Sequence, residues 1–205
     1  MSQLTIYGIA ASRTLRSLWI AKELGLDYAH VPIGVASEDS KSPAYLALNP
    51  SGTIPTIKDG DFALWESAAI SLYLAKKYGH GLYPDTLEGE AKTWQWSFFA
   101  HSEVEKPVLA ISFNRYVKPE AERVEALAKE GESNLVRPLA VLNETFAKSP
   151  YLLGDKFSVA DLVLAGCLYP AYRFKFGLTA APKVADWLAR CLERPAALAA
   201  RKLRE

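Results

Sequence analysis

The chain has 205 residues, half of them hydrophobic, and a formal net charge of +1 at pH 7. That length suffices for one large core or two small ones. Near-neutral charge argues against a nucleic-acid or anionic-membrane partner, and no apolar run reaches the roughly 20 residues needed to span a bilayer. The start of the chain enters a strand pattern without the basic-then-apolar signature of a secretory leader. Cys167 and Cys191 lie in helix-like sequence with no CxxC or metal-ligand spacing. Two reduced thiols and a cytoplasmic location are the expectation. There is no HExxH, no glycine-rich phosphate loop and no clustered Cys/His, so neither a metal nor a nucleotide is expected.

Leu4 to Tyr7 is a short β-rich run ending at Gly8. After the small-residue loop Ile9-Ala10-Ala11-Ser12, Leu15, Leu18 and Trp19 fall at helical spacing. Gly25 supplies a left-handed cap, and Tyr28 to Pro32 reads as a second strand. Such a βαβ unit requires parallel strands and a right-handed crossover. A polar loop and a short helix around Pro43 to Leu48 lead into Asn49-Pro50-Ser51-Gly52-Thr53-Ile54-Pro55. Two prolines and a glycine there stop any helix and force a defined bend, and an X-Pro bond in such a turn can be cis. Thr56-Ile57-Lys58, the hairpin dipeptide Asp59-Gly60 and Phe62-Ala63-Leu64 follow as a β-hairpin. Glu66-Ser67 then opens a helix whose free N–H groups and dipole suit a carboxylate.

Residues 79–86 break all periodicity and read as a linker. Beyond it strand signals vanish. Glu88 to about Arg115 is a long helix pattern expected to bend near Pro107. From Pro119 to Lys148, Val124, Leu127, Leu135, Leu139, Leu142 and Phe146 fall on one helical face. The switch predicts two domains, residues 1–78 and 87–205. In Phe157-Ser158-Val159-Ala160-Asp161-Leu162, Ser158 and Asp161 have the spacing of a capping box, and Phe157 with Leu162 that of a hydrophobic staple.

The pairing of Asn-Pro-x-Gly-x-Ile-Pro with Glu-Ser-x-Ala-Ile, a hairpin apart, resembles the glutathione-binding core of the cytosolic glutathione S-transferases. The likeness extends over essentially the whole chain and is nearest to the serine-type, theta/phi-like bacterial branch. It implies an α/β thioredoxin-like N-terminal domain followed by an all-α C-terminal domain. It also implies a transferase with glutathione as cosubstrate, a small hydrophobic electrophile as second substrate, and a homodimer.

Such an enzyme must present a thiolate, since a thiol with a pKa near 8.5 is only a few per cent ionised at neutral pH. The resemblance puts Ser12 on the glutathione sulfur. The alternative for Ser12 is a cap of the first helix, as serine commonly provides, and the surrounding match favours the catalytic role. Tyr7, at the end of the first strand, is the rival hydroxyl. Ser67 would meet the γ-glutamyl carboxylate, Glu66 the ammonium, Ile54 before Pro55 the cysteinyl amide, and Lys41 the glycyl carboxylate. Ala68 stands where many serine-type members carry arginine, which implies fewer cationic contacts. Arg13 and Arg16 could supply positive potential or surface salt bridges. The electrophile pocket is expected between the domains, with Phe113 and Tyr116 as lining among an unusually aromatic set of helix residues, most of them expected in the core. His101 reads as a satisfied interior or interface histidine. Ser158 and Asp161 resemble the family's structural N-capping box. A second class is an interaction module that keeps the fold without catalysis, since fold alone does not settle function.

Overall fold

The computed structural model describes residues 4–79 and 81–204. The chain divides into two compact units, Met1–Tyr83 with Glu193–Glu205, and Pro84–Leu192. His80, inside the expected linker, lies outside the described residues.

In the first unit, β1 (Leu4–Tyr7) alternates buried and half-buried residues, the mark of a strand with one covered face. It leads through α1 (Thr14–Glu23) to β2 (Tyr28–Val31), which pairs parallel to it with Leu4 opposite Tyr28. The short α2 (Pro43–Leu46) is capped by Ser42 and has proline at its first position, where no N–H is needed. β3 (Thr56–Asp59) and β4 (Phe62–Trp65) complete a sheet of order β2-β1-β3-β4, with β3 antiparallel to both neighbours. Asp59 faces Phe62, so the two-residue turn is Gly60-Asp61, one step on from the expected Asp59-Gly60. Gly60 has φ +63°, as the first central residue of a II′ hairpin turn requires.

α3 (Ser67–Tyr78) packs beside α1. The side chains of α1 from Thr14 to Ala21 are all buried, because α9 (Pro195–Arg201) also covers it. Reading by element type alone assigned 193–205 to the helical domain, whereas these residues group with the first unit. The physical reason is a pair of charges remote in sequence. Arg194 donates from Nε and Nη2 to the two carboxylate oxygens of Glu23, each at 2.8 Å, and Trp19 Nε1 adds a bond of 2.9 Å.

The second unit begins where the Thr86 hydroxyl accepts the Gly89 N–H and caps α4 (Leu87–Phe99). Helical backbone then continues to Val117 through a π-helical turn (Ala100–Glu105), α5 (Lys106–Ser112) and a second π-helical turn (Phe113–Val117). Pro107, where a bend was expected, sits just after the first wide turn. Its missing N–H and its ring disturb the bond to residue 103, and a widened turn accommodates such a disturbance.

In α6 (Glu125–Lys148), Leu135, Leu139, Leu142 and Phe146 are buried, but Val124 and Leu127, expected on the same face, are exposed at its start. α7 (Val159–Phe174) is buried almost along its whole length, with α4, α5 and α8 (Pro182–Leu192) packed on it. Ser158 and Asp161 form a reciprocal capping box at the start of α7. The Asp161 carboxylate also accepts Leu152 N–H at 3.0 Å and Trp187 Nε1 at 2.9 Å, so the cap ties a loop and α8 to the central helix.

Candidate functional site

The chain passes from β4 to α3 through Glu66 alone, which adopts φ +74° and ψ 114°. A residue with a Cβ in that region carries a strain of about 1–3 kcal/mol, and such strain gathers at functional positions. The consequence is an abrupt helix start with no side-chain cap. Ile70 N–H is the first to bond back, to Glu66 O at 2.9 Å, leaving the N–H groups of Ser67, Ala68 and Ala69 at the positive end of the helix dipole.

Arg16 stands beside this start. It is 4% exposed, and its Nη1 donates to Ser67 Oγ at 3.1 Å. Because Ser67 Oγ accepts this bond, its own proton is available to a further acceptor. A helix N-terminus, a hydroxyl and a guanidinium that stays charged at any physiological pH therefore converge on one spot. Sequence reasoning considered Arg16 only for general positive potential or a surface salt bridge. The signal was its place on a stretch otherwise apolar, Leu15, Leu18 and Trp19, where a charged side chain needs a specific partner. Arg13, by contrast, is exposed.

Gly8 brings two further stretches together. It has φ +124°, and a Cβ there would lie 2.2 Å from Thr14 Oγ1 and 2.9 Å from Ile54 Cβ. Only glycine lets the strand end pass between the start of α1 and the proline turn. His30 Nε2 bonds the Gly8 carbonyl at 2.8 Å and holds the loop from the other side. Neither residue was singled out as functional from the sequence.

Ser12 lies in this loop, half-buried. Its Oγ accepts the Thr14 N–H at 3.1 Å and sits 2.7 Å from the Ile9 carbonyl, to which it donates, and 2.9 Å from Thr14 Oγ1. The hydroxyl thus serves the helix start in the way a cap does. Rotation about its C–O bond re-aims the single proton without moving the oxygen. Tyr7 is half-buried with its ring edge-on to Tyr45 at 6.1 Å, and its hydroxyl makes no hydrogen bond among the described residues.

The turn before β3 is built by buried polar side chains. Asn49 Nδ2 donates to Thr53 O at 2.8 Å, and its Oδ1 accepts the Ser51 N–H and hydroxyl at 3.0 and 2.7 Å. Tyr45 Oη donates to the same Thr53 carbonyl at 2.6 Å. The Ile54–Pro55 peptide is cis. Among the described residues, the Ile54 N–H and C=O make no hydrogen bond, so a segment of backbone next to the sheet is left to pair. Lys41, at the end of a 3-10 turn, is exposed.

Of the expected site residues, the first unit therefore joins Ser67 to Arg16 directly and sets Ile54 against Gly8, four residues before Ser12. Phe113 and Tyr116 belong to the helical unit and are 42% and 40% exposed, with Tyr116 stacked on Phe174 at 4.8 Å. Two other aromatics expected in the bundle core, Trp94 and Phe98, are exposed as well, Phe98 by 73%. Ser158 and Asp161 are occupied with the capping box.

Residues 2–76 match the glutathione S-transferase N-terminal domain family, and residues 104–195 match the C-terminal domain family. A glutathione S-transferase of Nicotiana tabacum is 32% identical over 193 residues, covering 91% of each chain. Glutathione S-transferase 3 of Zea mays is 34% identical, covering 96% of this chain and 92% of the relative. Among solved structures, a theta class glutathione S-transferase from Xanthomonas axonopodis pv. citri, with glutathione bound, superposes with a TM-score of 0.90 at 33% identity. That match covers 98% of this chain and 97% of the other.

Proposed function

The chain belongs to the glutathione S-transferase family, and from that premise we propose that it activates glutathione through Ser12 and anchors its γ-glutamyl end on Ser67 and Arg16. Lowering a thiol pKa by about two units requires roughly 2.7 kcal/mol of preference for the thiolate. A hydroxyl at the N-terminus of α1, re-aimed from the Ile9 carbonyl to sulfur, supplies part of it, and the helix dipole adds to it. The thiol proton leaves to solvent, and the thiolate then adds to an electrophilic carbon whose neighbouring atom takes up a proton, displaces halide ion from carbon, or breaks a peroxide O–O bond, becoming a sulfenic acid as the peroxide is reduced to alcohol or water.

The observation that carries this reading is the Arg16–Ser67 bond. It supports a buried cation at the α3 start and compensates for Ala68, where many serine-type members carry arginine. The γ-glutamyl carboxylate meets the Ser67 hydroxyl and N–H, while Glu66, exposed, faces the ammonium. The unpaired Ile54 backbone before Pro55 takes the cysteinyl amide as an added strand does, and Lys41 reaches the glycyl carboxylate. For the apolar electrophile, Phe113 and Tyr116 are the proposed contacts. The protein acts in the cytoplasm as a homodimer, and light scattering at micromolar concentration tests the dimer.

The test is the ultraviolet thiolate absorbance of bound glutathione as a function of pH, in the parent, Ser12→Ala and Tyr7→Phe. A depressed thiol pKa that reverts only in Ser12→Ala is expected, with kcat falling about 10²–10³-fold, as for the loss of one donor to a developing anion. Reversion only in Tyr7→Phe would transfer the role to the phenol and leave Ser12 a helix cap. Failure to bind glutathione at millimolar concentration would overturn the catalytic reading in favour of an interaction module.

A further inference from the structure

Three potential metal ligands converge in the helical unit. His101 and Glu105 lie on the π-helical turn, and Cys167 lies on α7; one ligand atom from each falls within 4.8 Å of the other two. Their spacing in sequence carries no metal signature, because α7 brings the thiol in from more than sixty residues away. Glu105 and Cys167 are buried, and the His101 side chain is 30% exposed.

The histidine is already oriented. His101 Nδ1 lies 3.0 Å from the Ser97 carbonyl, an acceptor only, so that nitrogen carries a proton and in the neutral ring the lone pair lies on Nε2. Nε2 points to Glu105 Oε2, 3.8 Å away. A ring nitrogen bonded to a backbone carbonyl, with its other nitrogen facing further donors, is the arrangement that fixes a metal-binding imidazole. Zinc bonds of about 2.0–2.3 Å set the corners of a tetrahedron roughly 3.3–3.8 Å apart. The His101–Glu105 separation of 3.8 Å needs to close by only about 0.3–0.5 Å, and the thiol joins the set with a shift of about 1 Å on the same scale. Widened helical turns recur at functional positions, and this one carries two of the three donors.

We infer that His101, Glu105 and Cys167 form a zinc site, with water in the fourth position on the side where His101 meets solvent. Nitrogen, oxygen and sulfur donors together suit Zn²⁺ better than the hard cations Mg²⁺ or Ca²⁺, which take oxygen alone. Binding displaces the Cys167 thiol proton to solvent and leaves a zinc–thiolate bond. The ion links the long helix to α7 and so stabilises the helical unit. A plain His101–Glu105 ion pair is the competing account, and it predicts no thiolate-to-metal bond.

Cobalt(II) titration of the untagged, metal-free full chain, without glutathione, separates the two. The expected result is one cobalt per chain with a thiolate-to-cobalt charge-transfer band and tetrahedral visible bands. The charge-transfer band is expected to vanish in Cys167→Ser and persist in Cys191→Ser. Loss of a group that merely orients a ligand costs about 10–100-fold in affinity, so His101→Gln, which removes the ligand itself, is expected to cost at least about 100-fold. Cys167 is buried, and if its serine variant fails to fold, His101→Gln decides alone. No stoichiometric uptake, a band that survives in Cys167→Ser, or unchanged affinity in His101→Gln would each overturn the site.

Discussion

Asp59 in the α/β unit and Asp161 in the helical unit are both buried and both accept several hydrogen bonds, yet their acidities move in opposite directions. Burial alone would raise Asp59, but bonds from Lys77 at 2.7 Å and from the Tyr78 and Tyr73 hydroxyls at 2.9 Å outweigh it and hold the carboxyl below its ordinary value. Burial also leads at Asp161, and there it prevails. The donors are Leu152 N–H, Ser158 Oγ and N–H, and Trp187 Nε1, all uncharged. A comparable number of hydrogen bonds therefore does not fix the sign. What differs is the presence of a cation, and Asp59 has one at the surface while Asp161 sits deep among neutral groups. The same contrast separates the two units more widely. In the α/β unit the buried Arg16 stands beside the start of α3, whereas in the helical unit the Asp161 carboxylate is a structural knot.

The largest expected effect follows from untying that knot. Asp161→Ala leaves the Leu152 and Ser158 N–H groups and the Trp187 indole without their acceptor, and each buried orphan costs about 1–3 kcal/mol. A loss of at least about 3 kcal/mol is expected, read as a lower urea midpoint with a change in tryptophan fluorescence. A near-neutral result would mean that these donors find other partners. Next comes Arg16→Gln, which keeps a donor for Ser67 but removes the charge. A bond to a charged group is worth about 1.5–3 kcal/mol, so glutathione should bind about 10–100-fold more weakly with the thiol pKa of the bound form unchanged. A shifted pKa with unchanged affinity would move Arg16 from the γ-glutamyl end to the sulfur.

The two aspartates also make opposite pH predictions. Asp59, depressed in the folded chain, contributes stability that is present above its unfolded value of about 4 and lost as pH falls through the folded value. Asp161, raised in the folded chain, binds its proton more tightly when folded, so stability declines as pH rises from about 4 through the folded value. Urea midpoints measured against pH should lose the acid-side slope in Asp59→Asn and the decline above it in Asp161→Asn. The same slope lost in both variants would dissolve the contrast.

Local features of the molecule were far more readable in the sequence than long-range ones. Gly-Thr-Ile-Pro, Glu66-Ser67 and the Ser158–Asp161 box are local, since each gets its geometry from residues within a turn or two. The parallel βαβ unit, the hairpin and the helix start at Ser67 follow from such local rules. Arg16 against Ser67, 51 residues away, and Arg194 against Glu23, 171 residues away, depend on tertiary approach. No spacing rule encodes such pairs. The exposure of Trp94, Phe98, Val124 and Leu127 was illegible for a related reason: helical periodicity tells which residues share a face but not whether a neighbour covers the whole length of it. Gly8 was the recoverable miss, because a glycine ending a strand before a small-residue loop marks a close backbone approach.

Ser158→Ala tests the knot most gently. The hydroxyl accepts the Asp161 N–H in the capping box and donates to Oδ2 at 2.7 Å, so alanine removes one cap and one of four donors to the carboxylate. The Ser158 N–H, Leu152 N–H and Trp187 Nε1 remain in place. The cost should stay near the usual loss of an N-cap, about 1 kcal/mol, and Ser158→Thr should recover most of it. Glutathione affinity and thiol pKa should not move, since neither residue belongs to the α/β unit. If the alanine variant instead lost as much stability as Asp161→Ala, the hydroxyl would be what keeps the buried carboxylate in register. The contrast with Asp59 would then rest on one neutral donor rather than on depth.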